Sequence, residues 1–272
     1  MNKHTIKKLK KSDVNDTTEL DISNKYIGGV LDLKQCKKLS TLICNNNKIT
    51  NIINIPSTLK YLDCSDNEIS TLSNLPNDLV YLDCSTNIPL KELCFPSKLT
   101  NLTLDTELNH FVNGLPDSIT HLTIGWNFNQ RVDNLPSSIT HLTFGYSFNQ
   151  RVDNLPSSIK HLTLGHSFNQ QIDNLPSSIT HLKLDYKFNQ QIDNLPNLLT
   201  YLELGDNFNQ RVDNLPSSIT HLFLGYHFNR PVDKLPDSIT HLVLRENFVQ
   251  SLDKLPSEIM YLTVGKNKYY FE

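Results

Sequence analysis

Six histidines recur at a spacing of twenty residues: His121, His141, His161, His181, His221 and His241. Tyrosine fills the same slot at Tyr61, Tyr81, Tyr201 and Tyr261. A row of imidazoles can ligate metal, exchange protons near neutral pH, or stack ring on ring. Metal ligation needs convergent donors, and no carboxylate or thiolate recurs beside these histidines at ligand spacing. Stacking at strand spacing explains why histidine and tyrosine share the slot. A pH-sensitive face is the remaining functional reading, because imidazoles in a row resist charging together.

A second column is acidic: Asp133, Asp153, Asp173, Asp193, Asp213, Asp233 and Asp253. Its Asp-Asn-Leu-Pro setting predicts an Asx-type turn that caps local backbone donors. Calcium is disfavoured, because the glycine-aspartate nonapeptide of calcium β-rolls is missing. A third column, Cys44, Cys64 and Cys84, reads as buried reduced thiols and not as a disulfide framework. Serine, histidine and aspartate are abundant, but each recurs with the same period. A catalytic site needs one asymmetric arrangement of nucleophile, base and oxyanion donors. The expectation is therefore a protein that is not an enzyme, with no metal and no cofactor.

The period itself predicts the elements that carry these columns. A leucine column runs through Leu42, Leu62, Leu82, Leu102, Leu122, Leu142 and Leu162 to Leu262. Two residues later comes a second apolar column, and three residues before comes a third, for example Leu59, Ile119, Ile139 and Leu199. The result is LxxLxLxxN, complete at Leu59 to Asn67, and its period of two around Leu-x-Leu predicts a short strand. Asn47, Asn67, Asn87, Asn127, Asn207, Asn247 and Asn267 occupy the asparagine position, where the side chain can satisfy backbone groups as the chain turns inward. A proline column, Pro136, Pro156 and Pro176 among its members from Pro56 to Pro256, follows on the return limb. Proline and the residue before it favour extended backbone, so the limb should be extended or built from single 3₁₀ turns.

The predicted fold is a right-handed leucine-rich-repeat solenoid of about 12–13 rungs with few or no α-helices, since repeats of this length stack on their neighbours. Its parallel sheet lies on the concave face. Residues 1–18, rich in lysine, form a basic cap or tail. Rungs of one kind fill 19–100, rungs of another fill 101–268, and 269–272, with Tyr269, Tyr270 and Phe271, form an aromatic lid. The second kind carries a phenylalanine spine: Phe128, Phe148, Phe168 and onward to Phe248. The irregular rung from Tyr81 to Thr100, with Pro89 and Glu92, reads as the join.

The chain has 272 residues and a net charge of −3, which gives no basic footprint for nucleic acid. No run reaches the length of a membrane span, and the basic start lacks a signal peptide's apolar run. An intracellular location follows as the expectation: host cytoplasm if the chain is viral, or packaging in a virion.

The second half resembles the FNIP repeat family of amoebae and their giant viruses. The resemblance rests on Phe128-Asn129-Gln130, Phe148-Asn149-Gln150, Phe168-Asn169-Gln170 and Phe228-Asn229-Arg230-Pro231, each followed by L-P-x-S-I-x-H-L. The first half is similar to short, proline-containing leucine-rich repeats of bacterial effectors. Family members joined to an F-box imply a substrate-recognition arm of a ubiquitin ligase; here eighteen residues precede the first rung. A catalytic cysteine domain, carried by some bacterial relatives, is not matched, as the last cysteine is Cys94.

The residues that break columns mark the expected functional face. Between the two core apolar positions threonine gives way to Lys183, Glu203, Phe223 and Val243. A protein partner of unspecified identity is expected on the concave face, around His181, Tyr186, Tyr201, Phe223, Tyr226 and Val243, where exposed aromatics form hot spots. A structural or virion-packaged array is the alternative. The oligomeric state is left open.

Overall fold

A computed structural model describes residues 15–87, 92–104 and 114–271. Residues 1–14, at the expected cap, Pro89 in the expected join, and Glu272 lie outside them; of Glu92 only the backbone is described. The chain divides into two compact units, with the boundary between Phe128 and Asn129. Among the described residues only Asn15 is α-helical, and every regular element is a strand. Each unit is a β-solenoid built on a parallel sheet.

In the first unit, β1 (Glu19–Asp21), β3 (Thr41–Ile43), β5 (Tyr61–Asp63), β7 (Tyr81–Asp83), β9 (Asn101–Leu104) and β10 (His121–Ile124) form a parallel sheet in that order. The register sets leucine against leucine: Leu20 on Leu42, Leu42 on Leu62, Leu62 on Leu82, Leu82 on Leu102 and Leu102 on Leu122. All are buried, and so are Cys44, Cys64 and Cys84 behind them, as free thiols. Burial pushes the Cys64 thiol well above its ordinary pKa, as a structural thiol requires.

The turns out of β3, β5 and β7 each pass through a left-handed residue: Asn46 at φ 53°, Asp66 at 51° and Thr86 at 49°. The next residue is the motif asparagine. Asn67 Oδ1 accepts the Ile49 N–H at 2.9 Å, and Nδ2 donates to the carbonyls of Cys44, Cys64 and Ser65 at 3.0, 3.1 and 3.0 Å. Asn47 and Asn87 make the same kind of bonds. The return limb here is more ordered than expected. β2 (Gly28–Asp32) pairs with β4 (Lys48–Ile53), and β6 (Thr71–Leu72) with β8 (Glu92–Leu93), as small parallel sheets.

The second unit stacks β11 (His141–Phe144), β12 (His161–Leu164), β13 (His181–Leu184), β14 (Tyr201–Leu204), β15 (His221–Leu224), β16 (His241–Leu244) and β17 (Tyr261–Val264) in parallel, and ends on antiparallel β18 (Asn267–Tyr270). One rung shows the design. Ile139, Leu142, Phe144, Phe148, Val152 and Leu155 are all buried, as the apolar pattern requires. A turn after the strand brings the phenylalanine inward: the Phe168 N–H donates to the Gly165 carbonyl at 3.0 Å. The phenylalanines then stack, with centroids 6.2 Å apart for Phe148 and Phe168, 6.1 Å for Phe168 and Phe188, and 6.1 Å for Phe188 and Phe208. Proline opens a second turn, in which the Ile159 N–H donates to the Pro156 carbonyl at 3.2 Å. An added Cβ on Gly225 would overlap the Gly205 carbonyl, so glycine lets the rungs close up there.

Three expectations need correction in this unit. The asparagine slot does not serve here: Asn207 and Asn247 make no side-chain bonds of the Asn67 kind, because the buried phenylalanine beside them changes the turn. The ladder moves to the motif's own asparagine. Asn149 Oδ1 accepts the Asn169 N–H, and Asn169 Oδ1 the Asn189 N–H, both at 2.9 Å. The aspartates do not cap local backbone either. Asp133, Asp153, Asp173 and Asp193 each take the side-chain amide of the next rung, for example Asn154 on Asp133 at 3.1 Å and Asn214 on Asp193 at 2.9 Å. Asn154, then Arg131, holds Asp133 below the usual carboxylate range. The Asx-type turn occurs instead in the first unit, where Asp63 Oδ1 accepts the Ser65 N–H at 3.1 Å. Finally, Tyr269-Tyr270-Phe271 is no closed lid. Tyr269 sits opposite Leu262, on the core side, but Tyr270 stays 74% exposed.

Candidate interaction face

The histidine slot lies on the solvent side of the sheet, because each histidine precedes a buried leucine by one residue. In the second unit His141, His161 and His181 stack with centroids 4.2 Å apart, as do His221 and His241. Tyr201 interrupts the row at 5.6 Å from His181 and 6.3 Å from His221. The neighbouring threonines fix the tautomer. Thr180 Oγ1 lies 2.9 Å from His181 Nδ1 and donates its one proton to the Lys160 carbonyl at 3.2 Å. Thr220 and His221 repeat the arrangement. The hydroxyl oxygen must therefore accept from Nδ1–H, and Nε2 is left as the acceptor on a neutral ring.

His221 is held below the usual imidazole range, first by burial and then by His241 and His181. The unfolded chain thus takes up this proton at a higher pH than the folded one does. Stability is lost as the pH falls from about 6.5 through the folded value. Acidifying from pH 7 to about 5 is expected to lower the melting temperature, and less so in His221→Gln. Carboxylates titrate alike in both proteins, so the difference isolates His221. Identical pH dependence in the two proteins would remove this histidine from the account.

The breaks in the threonine column meet one another. Lys183 and Glu203 are directly opposite on β13 and β14, with Nζ 2.8 Å from Oε1. The Tyr201 hydroxyl donates to Glu203 Oε2 at 2.9 Å, and burial followed by this bond pushes Tyr201 up to about 12. Phe223 follows opposite Glu203, its ring 5.1 Å from Tyr201. His181, Tyr201 and Phe223 are half-buried. Tyr186 and Tyr226 are 39% and 43% exposed. Val243 departs from the expectation of an exposed aliphatic: flanked by Phe223 and Thr263 on adjoining strands, it is only 8% exposed. Beside the strands, Tyr146, His166 and Tyr186 stack at 4.1 and 4.7 Å, and the buried His166 Nδ1 has no hydrogen-bond partner.

Among the described residues, no group of three or more histidine, cysteine, aspartate or glutamate side chains is placed to hold a metal ion. No described helix is long and apolar enough to cross a membrane. On the return limb a polar cleft of about 530 Å³ includes Arg211, Arg230 and Lys234, with Asp213 lying 3.5 Å from Arg211 and 4.0 Å from Lys234.

Sequence reasoning missed one recurrent set altogether. The second serine of the motif donates to the preceding rung, Ser158 to the Ile139 carbonyl and Ser178 to the Ile159 carbonyl, both at 2.6 Å. The signal was present, since Leu198 alone breaks that slot with an aliphatic side chain and is 59% exposed. Serine, threonine, asparagine and aspartate of the motif are thus engaged between rungs.

The strand register, the leucine and phenylalanine columns and the turns define a leucine-rich-repeat solenoid. Similar solved structures agree. CroV588, a circular leucine-rich-repeat protein of a giant virus, is 34% identical over 92% of this chain and 43% of its own, with a TM-score of 0.73. The leucine-rich effector YopM of Yersinia pestis is 19% identical over 91% of this chain and 88% of its own, TM-score 0.52. The functional domain of InlJ from Listeria monocytogenes is 14% identical over 93% and 54%, TM-score 0.52. This chain spans less than half the length of CroV588. No curated protein matches the sequence. Residues 109–147, 131–167, 148–187, 168–207 and 188–227 match the FNIP Repeat family. Five consecutive FNIP repeats thus lie within residues 109–227 of this chain.

Proposed function

We propose that the second unit binds a protein partner through the solvent face of its sheet, centred on Tyr186, Tyr201, Phe223 and Tyr226, and catalyses no reaction. The observation that carries this reading is a contrast. The repeated polar positions are engaged between rungs, whereas this patch breaks the repeat and leaves aromatic surface open. Aromatic side chains on a rigid sheet offer large contact area at small conformational cost. His181 and the Lys183–Glu203 pair form a polar rim, and an exposed pair of that kind adds register more than affinity. Val243, being buried, flanks Phe223 on the adjoining strand. Leucine-rich-repeat folds are commonly interaction modules, which favours the same reading.

The test compares the natural chain with Tyr186→Ser/Phe223→Ser/Tyr226→Ser as baits in an amoebal lysate. The substituted side chains are at least partly exposed, so the variant should melt within a few degrees of the natural chain. A protein held by the natural chain, lost by the variant, and bound again when both are purified is the expected result. The same proteins on both baits would remove the face from consideration.

A further inference from the structure

We propose that β18 is the contact through which two copies of this chain associate, edge to edge and antiparallel. The second unit's parallel sheet ends on a strand that runs backwards. The turn at Gly265, φ 62°, reverses the chain, and β18 pairs with β17: Tyr270 with Tyr261, Tyr269 with Leu262, Lys268 with Thr263, Asn267 with Val264. Tyr261 and Gly265 turn their N–H groups the other way, to the Thr240 carbonyl at 3.0 Å and the Leu244 carbonyl at 2.9 Å. Along a strand, the N–H and C=O of one residue point together and successive residues alternate. Leu262 and Val264 therefore face β18, and Asn267, Tyr269 and Phe271 face β17. The Phe271 N–H donating to the Met260 carbonyl at 3.0 Å fits that alternation. Lys268 and Tyr270 turn their backbone groups outward, where no further strand stands among the described residues.

Such an edge is a template for another strand. A second copy fits it by symmetry. A two-fold axis at Tyr269 sets Lys268 of each copy opposite Tyr270 of the other, and each pair exchanges two main-chain hydrogen bonds. This register engages both outward residues of each copy and opposes no like charges. A register centred on Lys268 would set two ammonium groups face to face. The side chains agree with the backbone. Tyr269 meets its own counterpart on the core side, where it is 45% exposed. On the solvent side Tyr270, Phe271 and Met260, at 74%, 51% and 58%, line a hollow with His241 and Tyr261 that the pairing would cover.

Light scattering after size exclusion, with about 50 µM protein applied, is expected to give twice the 31.1 kDa of one chain. Lys268→Pro removes an outward donor without touching a bond to β17 and keeps every aromatic; it should melt like the parent and run as a single chain. The background Cys94→Ser, which removes the exposed thiol, carries a second variant, Tyr269→Cys. Across the two-fold the Cα atoms at that position would lie about 4.5 Å apart, within disulfide reach. Mild oxidation should give a covalent dimer, whereas Lys266→Cys in the same background should not. A single-chain mass for the natural protein overturns the proposal. So does a well-folded Lys268→Pro that remains dimeric, or a dimer in which position 269 does not cross-link. Should Lys268→Pro fail to fold, the cysteine pair decides alone.

Discussion

Phe188→Ala is expected to destabilise the protein by about 3–5 kcal/mol, the upper range for truncating a core side chain. The ring is fully buried between Phe168 and Phe208, at 6.1 Å from each, so both of its faces are covered by aromatic neighbours. The cost of a truncation depends on how far the surroundings collapse into the space. Here collapse is resisted on two sides. The strand ladder fixes the rung spacing on one side, and the Asn169–Asn189 and Asn189–Asn209 bonds fix it next to the ring. Denaturant unfolding of Phe188→Ala beside Phe188→Leu measures this, with leucine expected to recover more than half of the loss. A loss under about 1 kcal/mol for alanine would mean that the rungs close on the cavity and that the spine tunes rather than holds the stack.

Asn67→Ala should cost about 2–4 kcal/mol, because a buried donor or acceptor left without its partner costs about 1–3 kcal/mol. The side chain is 7% exposed and serves backbone groups of two rungs: the Ile49 N–H and the Cys44 carbonyl in one, the Cys64 and Ser65 carbonyls in its own. Alanine strands these groups where the turn gives water little access. Asn67→Asp separates the two halves of the role. It keeps the acceptor for Ile49 but aims a carboxylate at three carbonyl oxygens, so it should be no better than alanine. Equal melting temperatures for Asn67→Ala and the parent would show that water replaces the amide.

The apolar skeleton was legible in the sequence, because burial follows side-chain type and the columns repeat it at every rung. Leu142, Phe148 and Val152 fall where the alternation and the turns put them. The polar columns were harder to read. A serine such as Ser158 or an aspartate such as Asp133 can bond within its own loop or to the next rung, and residue type alone favours neither. The spacing between rungs decides, and spacing is a tertiary fact. The same holds for Val243, whose slot is open on an isolated strand and is closed by its neighbours. The side-by-side strands β2 and β4 were hidden because proline argues only for extended backbone and is silent on pairing.

The ladders described for the second unit carry a consequence for how such a chain changes length. Ser158 bonds to Ile139, Asn169 to Asn149 and Asn154 to Asp133, and each donor finds the same chemistry one rung away. A segment of one whole period can therefore be cut out or copied in, and the flanking rungs meet partners of the same kind. Insertions of any other length shift donors against apolar positions. Gene-level slippage is filtered by hydrogen-bond matching: the array gains or sheds complete rungs and rejects fractions. In this chain, copy number is a nearly free variable and the period is the quantity under constraint.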